Sequence, residues 1–181
     1  MKRQDLFIVT KLPTFAMNPV AVRPTVEQSL KNLGIDYLDL YLIHTAFGIQ
    51  FDFKKMAPIK NDKDQYVTNL ENDHIGIWRE MEKLVDEGKI RSIGVSNFNS
   101  LQVANIMKNC RIPVAVNQCE CSLYFQQKKL RENLAKMGVK LMAYGSLGSS
   151  GMYAILLLST MSNMPLIYNL PFREEYINNG L

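Results

Sequence analysis

Three cysteines and two histidines in 181 residues leave little material for disulfide or metal chemistry. Cys110, Cys119 and Cys121 are odd in number and fit no zinc-ligand spacing. No disulfide framework and no metal site is expected, and the usage suits a reducing compartment. Phosphate and hydrolase signatures are missing too: there is no G-x-G-x-x-G after the first apolar run, no P-loop, no H-E-x-x-H and no G-x-S-x-G. No Asn-x-Ser/Thr sequon occurs, in keeping with a cytoplasmic protein. The opening MKRQDLFIVTKL offers only a short apolar stretch before Lys11 and Pro13, so neither a signal peptide nor a membrane anchor is expected there. Charge of one sign does not dominate, with 21 Lys and Arg against 17 Asp and Glu, a net +4. That is short of a dedicated nucleic-acid binder, so neither nucleic acid nor membrane is expected as a partner.

What is present can build a core. The chain is 47% hydrophobic and 21% charged, and its length is that of one domain, which excludes a disordered or low-complexity class. Charge is unevenly spread, however. Beyond residue 140 the only charged side chains are Arg173, Glu174 and Glu175. A change of composition near Gly145 to Gly151 therefore divides the chain into residues 1–151 and an apolar tail, 152–181. The tail's longest apolar run is about ten residues, against the roughly 20 that span a bilayer.

Periodicity predicts short apolar runs alternating with amphipathic helices. Strands are expected at Leu6–Leu12, Leu38–His44, Ile90–Ser96, Pro113–Gln118 and Val139–Tyr144. Helices are expected from Pro24 to Leu33 (Val26, Leu30 and Leu33 inward), from an Asp73 cap to Glu87, at Ser100–Asn109 (Leu101, Ala104 and Met107 inward) and at Gln127–Met137 (Leu130 and Leu134 inward). The segment from Thr45 to Asn72 reads as a long polar loop, of the kind that is usually functional or mobile. Strands separated by helices argue for parallel pairing. A doubly wound sheet and an incomplete α/β barrel both satisfy this pattern, since five strands in about 140 residues fall short of the roughly 250 of a full barrel.

Each expected strand ends in polar residues: Lys11, His44, Ser96-Asn97, Asn117-Gln118 and Tyr144. Strand C-termini are where α/β folds place their chemistry. Singly, His44 reads as a core histidine and Lys11 as a charge reaching solvent. Together they read as a proton-handling pair, with a neutral imidazole donating to an oxyanion and an ammonium lowering the pKa of a neighbouring acid. The amides of Asn97 and Gln118 suit a carboxamide ligand, and Tyr144 offers a ring for stacking. Gly145, Gly148 and Gly151 form a turn that either admits phosphates to backbone amides or simply leaves the sheet.

Five motifs in order resemble the aldo-keto reductase superfamily. They are Asp5-Leu-Phe-Ile-Val-Thr-Lys11, Asp36-Tyr-Leu-Asp-Leu-Tyr-Leu-Ile-His44, Gly94-Val-Ser-Asn-Phe98, Asn117-Gln-Cys-Glu120 and Ala143-Tyr-Gly-Ser-Leu-Gly-Ser149. Glu82-Lys-Leu-Val-Asp-Glu-Gly-Lys-Ile-Arg-Ser-Ile-Gly94 fits the helix and strand before the third of them. The resemblance covers about residues 2–151 and implies a partial (α/β)8 barrel that binds NADPH and reduces aldehydes and ketones by hydride transfer. By it, Lys11 and His44 are catalytic. Ser96, Asn97 and Gln118 hold the nicotinamide carboxamide, Tyr144 stacks on its ring, and Leu147 and Ser149 meet the pyrophosphate.

The departures from the family are as specific. Its proton-donating tyrosine, and the aspartate that pairs with the lysine, lie upstream of the first strand and have no counterpart in the chain. His44 is followed by Thr45-Ala46-Phe47-Gly48 where the family has an aromatic residue and proline. Gly145 and Ser146 replace a common Ser-Pro pair. After Gly151 the resemblance stops, and the basic motif for the adenosine 2′-phosphate is not matched. The expectation is an NADPH-dependent oxidoreductase of small carbonyl compounds, impaired as this chain stands. The alternative is a non-catalytic isoform acting as a binding or regulatory partner. A complete barrel of this kind is expected to be a monomer, whereas an open fragment is expected to associate.

Overall fold

Five parallel strands alternate with four helices in the computed structural model, which describes residues 1–52, 54–55, 57–69, 72–123 and 125–147. In chain order they are β1 (Val9–Leu12), α1 (Pro19–Leu33), β2 (Leu38–Ile43), α2 (His74–Asp86), β3 (Ile90–Ser96), α3 (Ser100–Asn109), β4 (Val116–Glu120), α4 (Lys128–Lys136) and β5 (Lys140–Tyr144). Neighbours in the chain are neighbours in the sheet, and all four pairings are parallel. A doubly wound sheet reverses its order at a switch point, whereas a barrel wall proceeds in sequence. Sequential order selects the barrel sector. The apolar tail expected over residues 152–181 lies outside the described residues.

The near-continuous apolar run of β2 is buried at every position, as a parallel strand covered on both faces requires. Its Tyr41 and Ile43 join Ile93 and Val95 of β3 in a core closed by Val22, Val26 and Leu30 of α1, Ile77, Trp78, Met81 and Leu84 of α2, Val103 and Ile106 of α3, and Leu130 and Leu134 of α4. Each such side chain, fully buried, contributes about 1.5–3 kcal/mol. Two polar groups of α2 fix the connection into β4. Trp78 Nε1 donates to the Ile112 carbonyl at 3.0 Å, and Glu82 Oε1 accepts from the backbone N–H of Arg111 and Ile112 at 2.6 and 2.7 Å.

The amino-terminal ends of the strands are clamped by Asp39. Its carboxylate accepts from the Ile8 N–H at 2.9 Å, from Arg3 at 2.7 Å and from Arg91 at 3.3 Å. The two guanidinium groups also flank Tyr37, 3.9 and 3.8 Å from its ring centre. The Ile8 N–H first, and the two arginines after it, hold the Asp39 carboxyl below the usual carboxylate range.

Several expectations are corrected. β1 starts at Val9 rather than Leu6, because Arg3–Asp5 forms a short 3-10 turn that leaves Leu6 and Phe7 exposed. α1 starts at Pro19, where Asn18 caps the Val20 N–H at 3.1 Å, so Pro24 lies inside the helix on its exposed side. The Thr25 hydroxyl reaches the carbonyls of Ala21 and Val22 beside that interruption. Leu33, expected inward, is exposed, and Val22 takes its place in the buried stripe. In α3 the capping box of Asn99 and Gln102 sets Val103 and Ile106 inward, leaving Leu101 and Ala104 exposed and Met107 only partly buried. β4 begins at Val116, three residues later than expected. The long segment after β2 is not a structureless loop. Gly48–Ile49 pairs with Thr68–Asn69 and Phe51–Asp52 with Ala57–Pro58, both antiparallel.

Candidate active site

Register brings the polar strand ends to one side of the sheet. Lys11 lies opposite Leu42, Ile43 opposite Val95, Ser96 opposite Gln118, and Glu120 opposite Tyr144. His44 and Asn97 are the residues that follow β2 and β3. The side chains expected from sequence to share one mouth are therefore gathered there.

Asn97 joins them. It is a non-glycine residue at φ +60, a left-handed conformation that asparagine accepts more readily than most side chains. Its backbone N–H donates to the Gln118 carbonyl at 2.9 Å. Its Nδ2 donates to the His44 carbonyl at 3.0 Å and to Ser96 Oγ at 3.1 Å. Its Oδ1 accepts from the Tyr144 hydroxyl at 2.9 Å. One amide thus ties the exits of β2, β3 and β5, and its own peptide ties it to β4.

His44 stands exposed at the rim. Partial burial first, and the ammonium of Lys11 second, hold its imidazole below the ordinary value. Near neutral pH the ring is uncharged, and an uncharged imidazole can donate one hydrogen bond without carrying a proton that it must first lose. Ser96 is buried, Gln118 is half-buried with its Nε2 2.8 Å from Met142 Sδ, and Tyr144 is 41% exposed. Leu147 is 84% exposed. Ser149, with Gly148 and Gly151 of the glycine turn, lies outside the described residues.

Asn117, read from sequence only as part of a polar strand end, and His74, given no role there, hold this mouth in place. Asn117, fully buried, donates from Nδ2 to the Phe98 carbonyl at 2.7 Å and locks the turn that follows Asn97. The available signal was an amide that shares the buried face of β4 with Cys119, because a buried amide needs partners. His74, at the start of α2, lies 2.8 Å through Nε2 from the Ala46 carbonyl and packs its ring 5.0 Å from that of Phe98. Burial outweighs the Ala46 bond and the Asp73 charge, and lowers the His74 pKa. On the apolar side, Phe15 and Phe51 stack at 4.5 Å between the exit of β1 and the first hairpin. A separate surface groove of about 750 Å³, lined by Lys128, Arg131, Lys140 and Leu141 among others, contains none of the expected site residues. Among the described residues no helix is long and apolar enough to cross a membrane.

Comparison with known proteins agrees with this layout. The family model described as the Aldo/keto reductase family matches residues 1–154. Aldo-keto reductase family 4 member C11 of Arabidopsis thaliana is 37% identical over 156 residues, covering 83% of this chain and 45% of that protein. Human aldo-keto reductase family 1 member C1 is 38% identical over 151 residues, covering 82% and 46% respectively. A solved structure of the aldose reductase from Schistosoma japonicum superposes with a TM-score of 0.73 at 34% identity, over 90% of this chain and 54% of that one. The chain spans about half the length of the curated relatives it matches.

Proposed function

Since the chain belongs to the aldo/keto reductase family, we propose that it supplies the lysine–histidine part of an NADPH-dependent oxidoreductase that reduces aldehydes and ketones to alcohols. The observation that carries this reading is the Asn97 amide, bonded at once to the His44 carbonyl and to the Tyr144 hydroxyl. It makes a single rim out of groups that are far apart in sequence. The reading takes a small-molecule carbonyl compound as substrate and the cytoplasm as the place of action. It assigns no nucleic-acid or membrane partner.

The donor set suits a nicotinamide. Ser96 and Gln118 are register partners, so a hydroxyl and an amide stand side by side next to Asn97, matching the donor and acceptor of a carboxamide. The hydroxyl of Tyr144 is fixed by Asn97, which holds the aromatic ring in one orientation for stacking. When bound, the nicotinamide supplies the hydride. His44, kept neutral, donates a hydrogen bond to the substrate oxygen and favours the charge that develops there. Lys11 adds a positive field at the same oxygen. Leu147 and Ser149 are assigned to the pyrophosphate.

A second reading, a non-catalytic binding or regulatory role, is favoured by the tyrosines. Tyr41 faces Thr25 in the helix layer, and burial pushes its phenol up to about 12. Tyr37 is held between two arginines, Tyr66 lies by Lys60, and the Tyr144 hydroxyl is bonded to Asn97. Each of these four is engaged by a partner other than Lys11.

The test of the main reading is a fluorescence titration of NADPH. Binding that weakens in Gln118→Ala and Tyr144→Ala, while Leu101→Ala on exposed α3 leaves it unchanged, supports it. Binding indifferent to Gln118 and Tyr144 overturns it.

A further inference from the structure

We propose that His74 is a positioning residue for His44: its imidazole N–H, held by the Ala46 carbonyl, pins the segment leaving β2 against the turn that carries Asn97. This rests on the role assigned to His44 above.

The geometry is specific. A carbonyl oxygen only accepts, so the 2.8 Å contact from Nε2 to Ala46 requires the proton on Nε2. The same ring packs on Phe98 at 5.0 Å with a 55° tilt. Phe98 is buried, and its carbonyl is held by Asn117. The segment after β2 is therefore anchored twice. Asn97 grips it at the carbonyl of His44, and His74 grips it two residues later. Between the anchors, the Thr45 hydroxyl bonds the Phe47 carbonyl at 2.6 Å and tightens the turn. Fixing the backbone on both sides of Thr45 restricts the rotation that would swing the His44 ring away from Lys11.

His74 itself is held from the helix side. Asp73 caps α2 by accepting from the Gly76 N–H at 2.7 Å, so the first turn cannot shift without losing its cap. Burial keeps the imidazole neutral, and Asp73 is the charged neighbour acting on it. A neutral ring with Nε2 protonated leaves Nδ1 as an acceptor, and that tautomer is a distinct spectroscopic state.

The chain has only two histidines, so ¹⁵N NMR of imidazole-labelled protein reads both rings without overlap. His74 is expected in the Nε2–H tautomer. His74→Phe keeps a ring against Phe98 but removes the donor, and the His44 titration is expected to move up toward the ordinary imidazole range. His74→Gln, whose amide nitrogen reaches a similar point, is expected to restore the native value. An Nδ1–H tautomer in the unaltered chain overturns the proposal, as does a His44 titration that is the same in all three proteins. The tautomer is read without any substitution, and His74→Met serves as the donor-free variant where His74→Phe does not fold. Neither measurement uses NADPH or an aldehyde, so failure here is separate from failure of the reductase reading.

Discussion

Tyr144 donates its phenolic hydrogen to Asn97 Oδ1 at 2.9 Å, across 47 residues of sequence. The other side of the same amide grips the His44 carbonyl at 3.0 Å. The rim of the sheet is therefore one hydrogen-bonded unit, and its members are expected to respond together when one is altered.

Asn97 is the member whose loss costs most. Asn97→Ala removes bonds worth about 0.5–1.5 kcal/mol each and places an alanine at φ +60, a conformation that costs roughly 1–2 kcal/mol. Asn97→Gly removes the same bonds without that backbone penalty. Urea unfolding should rank the native chain first, Asn97→Gly second and Asn97→Ala third. Equal midpoints for the two variants would mean that the left-handed backbone carries no strain.

Gly94 stands in the sheet because nothing larger fits. A Cβ there would lie 2.6 Å from the Val116 carbonyl oxygen and 2.8 Å from Leu42 Cδ2. Backbone on the neighbouring strand cannot yield cheaply, so Gly94→Ala should destabilise by about 1–3 kcal/mol. A thermal midpoint lower by several degrees checks this. An unchanged midpoint would mean that β3 and β4 are further apart than described.

Asp39 makes stability fall on the acid side. Its carboxyl is held below the usual range, chiefly by the Ile8 N–H and then by Arg3 and Arg91, so the unfolded chain takes up the proton first as pH falls. The contribution is complete above the unfolded value, about 3.9. It declines as pH drops from there through the lower native value. Between about pH 5 and about pH 3, the urea midpoint of the native chain should fall more steeply than that of Asp39→Asn. Glu87, held down to about 2 by Arg23, acts in the same direction but is common to both proteins. Parallel acid limbs would remove Asp39 from the account.

Much of this was readable from the strands. Each carries its apolar run up to a polar end, and parallel pairing then forces Lys11, His44, Asn97, Gln118 and Tyr144 to one side. What misled was competition between equally spaced signals. Pro24 reads as a first-turn proline, but the pair Asn18-Pro19 offers a cap followed by proline at the first helical position, and the cap decides. In α3, Leu101, Ala104 and Met107 fall on one face and Val103 and Ile106 on another. Only the capping box and the sheet beneath it select between them. The hairpins after β2 were not readable because their strands are two residues long and pair by backbone bonds, which leaves no hydrophobic period. His74 escaped notice because its partner is a carbonyl, and a carbonyl has no side-chain signature.

The last expectation concerns catalysis by the 181-residue polypeptide itself. Reduction needs a hydride and a proton delivered to the developing alkoxide. His44 can polarise the carbonyl, but the described tyrosines are engaged by Thr25, Asn97 and Lys60 and between Arg3 and Arg91. General-acid catalysis typically supplies about 10²–10⁴-fold, and errors of roughly an ångström in position cost a further hundredfold. Turnover of NADPH with a reactive aldehyde should therefore be negligible. It should change little in His44→Ala, because the step that His44 assists is no longer followed by proton delivery. The assay is steady-state NADPH oxidation by the native polypeptide and by His44→Ala at equal concentration. Robust turnover abolished by His44→Ala would show that another residue or a water molecule donates the proton, and the non-catalytic reading would then be withdrawn.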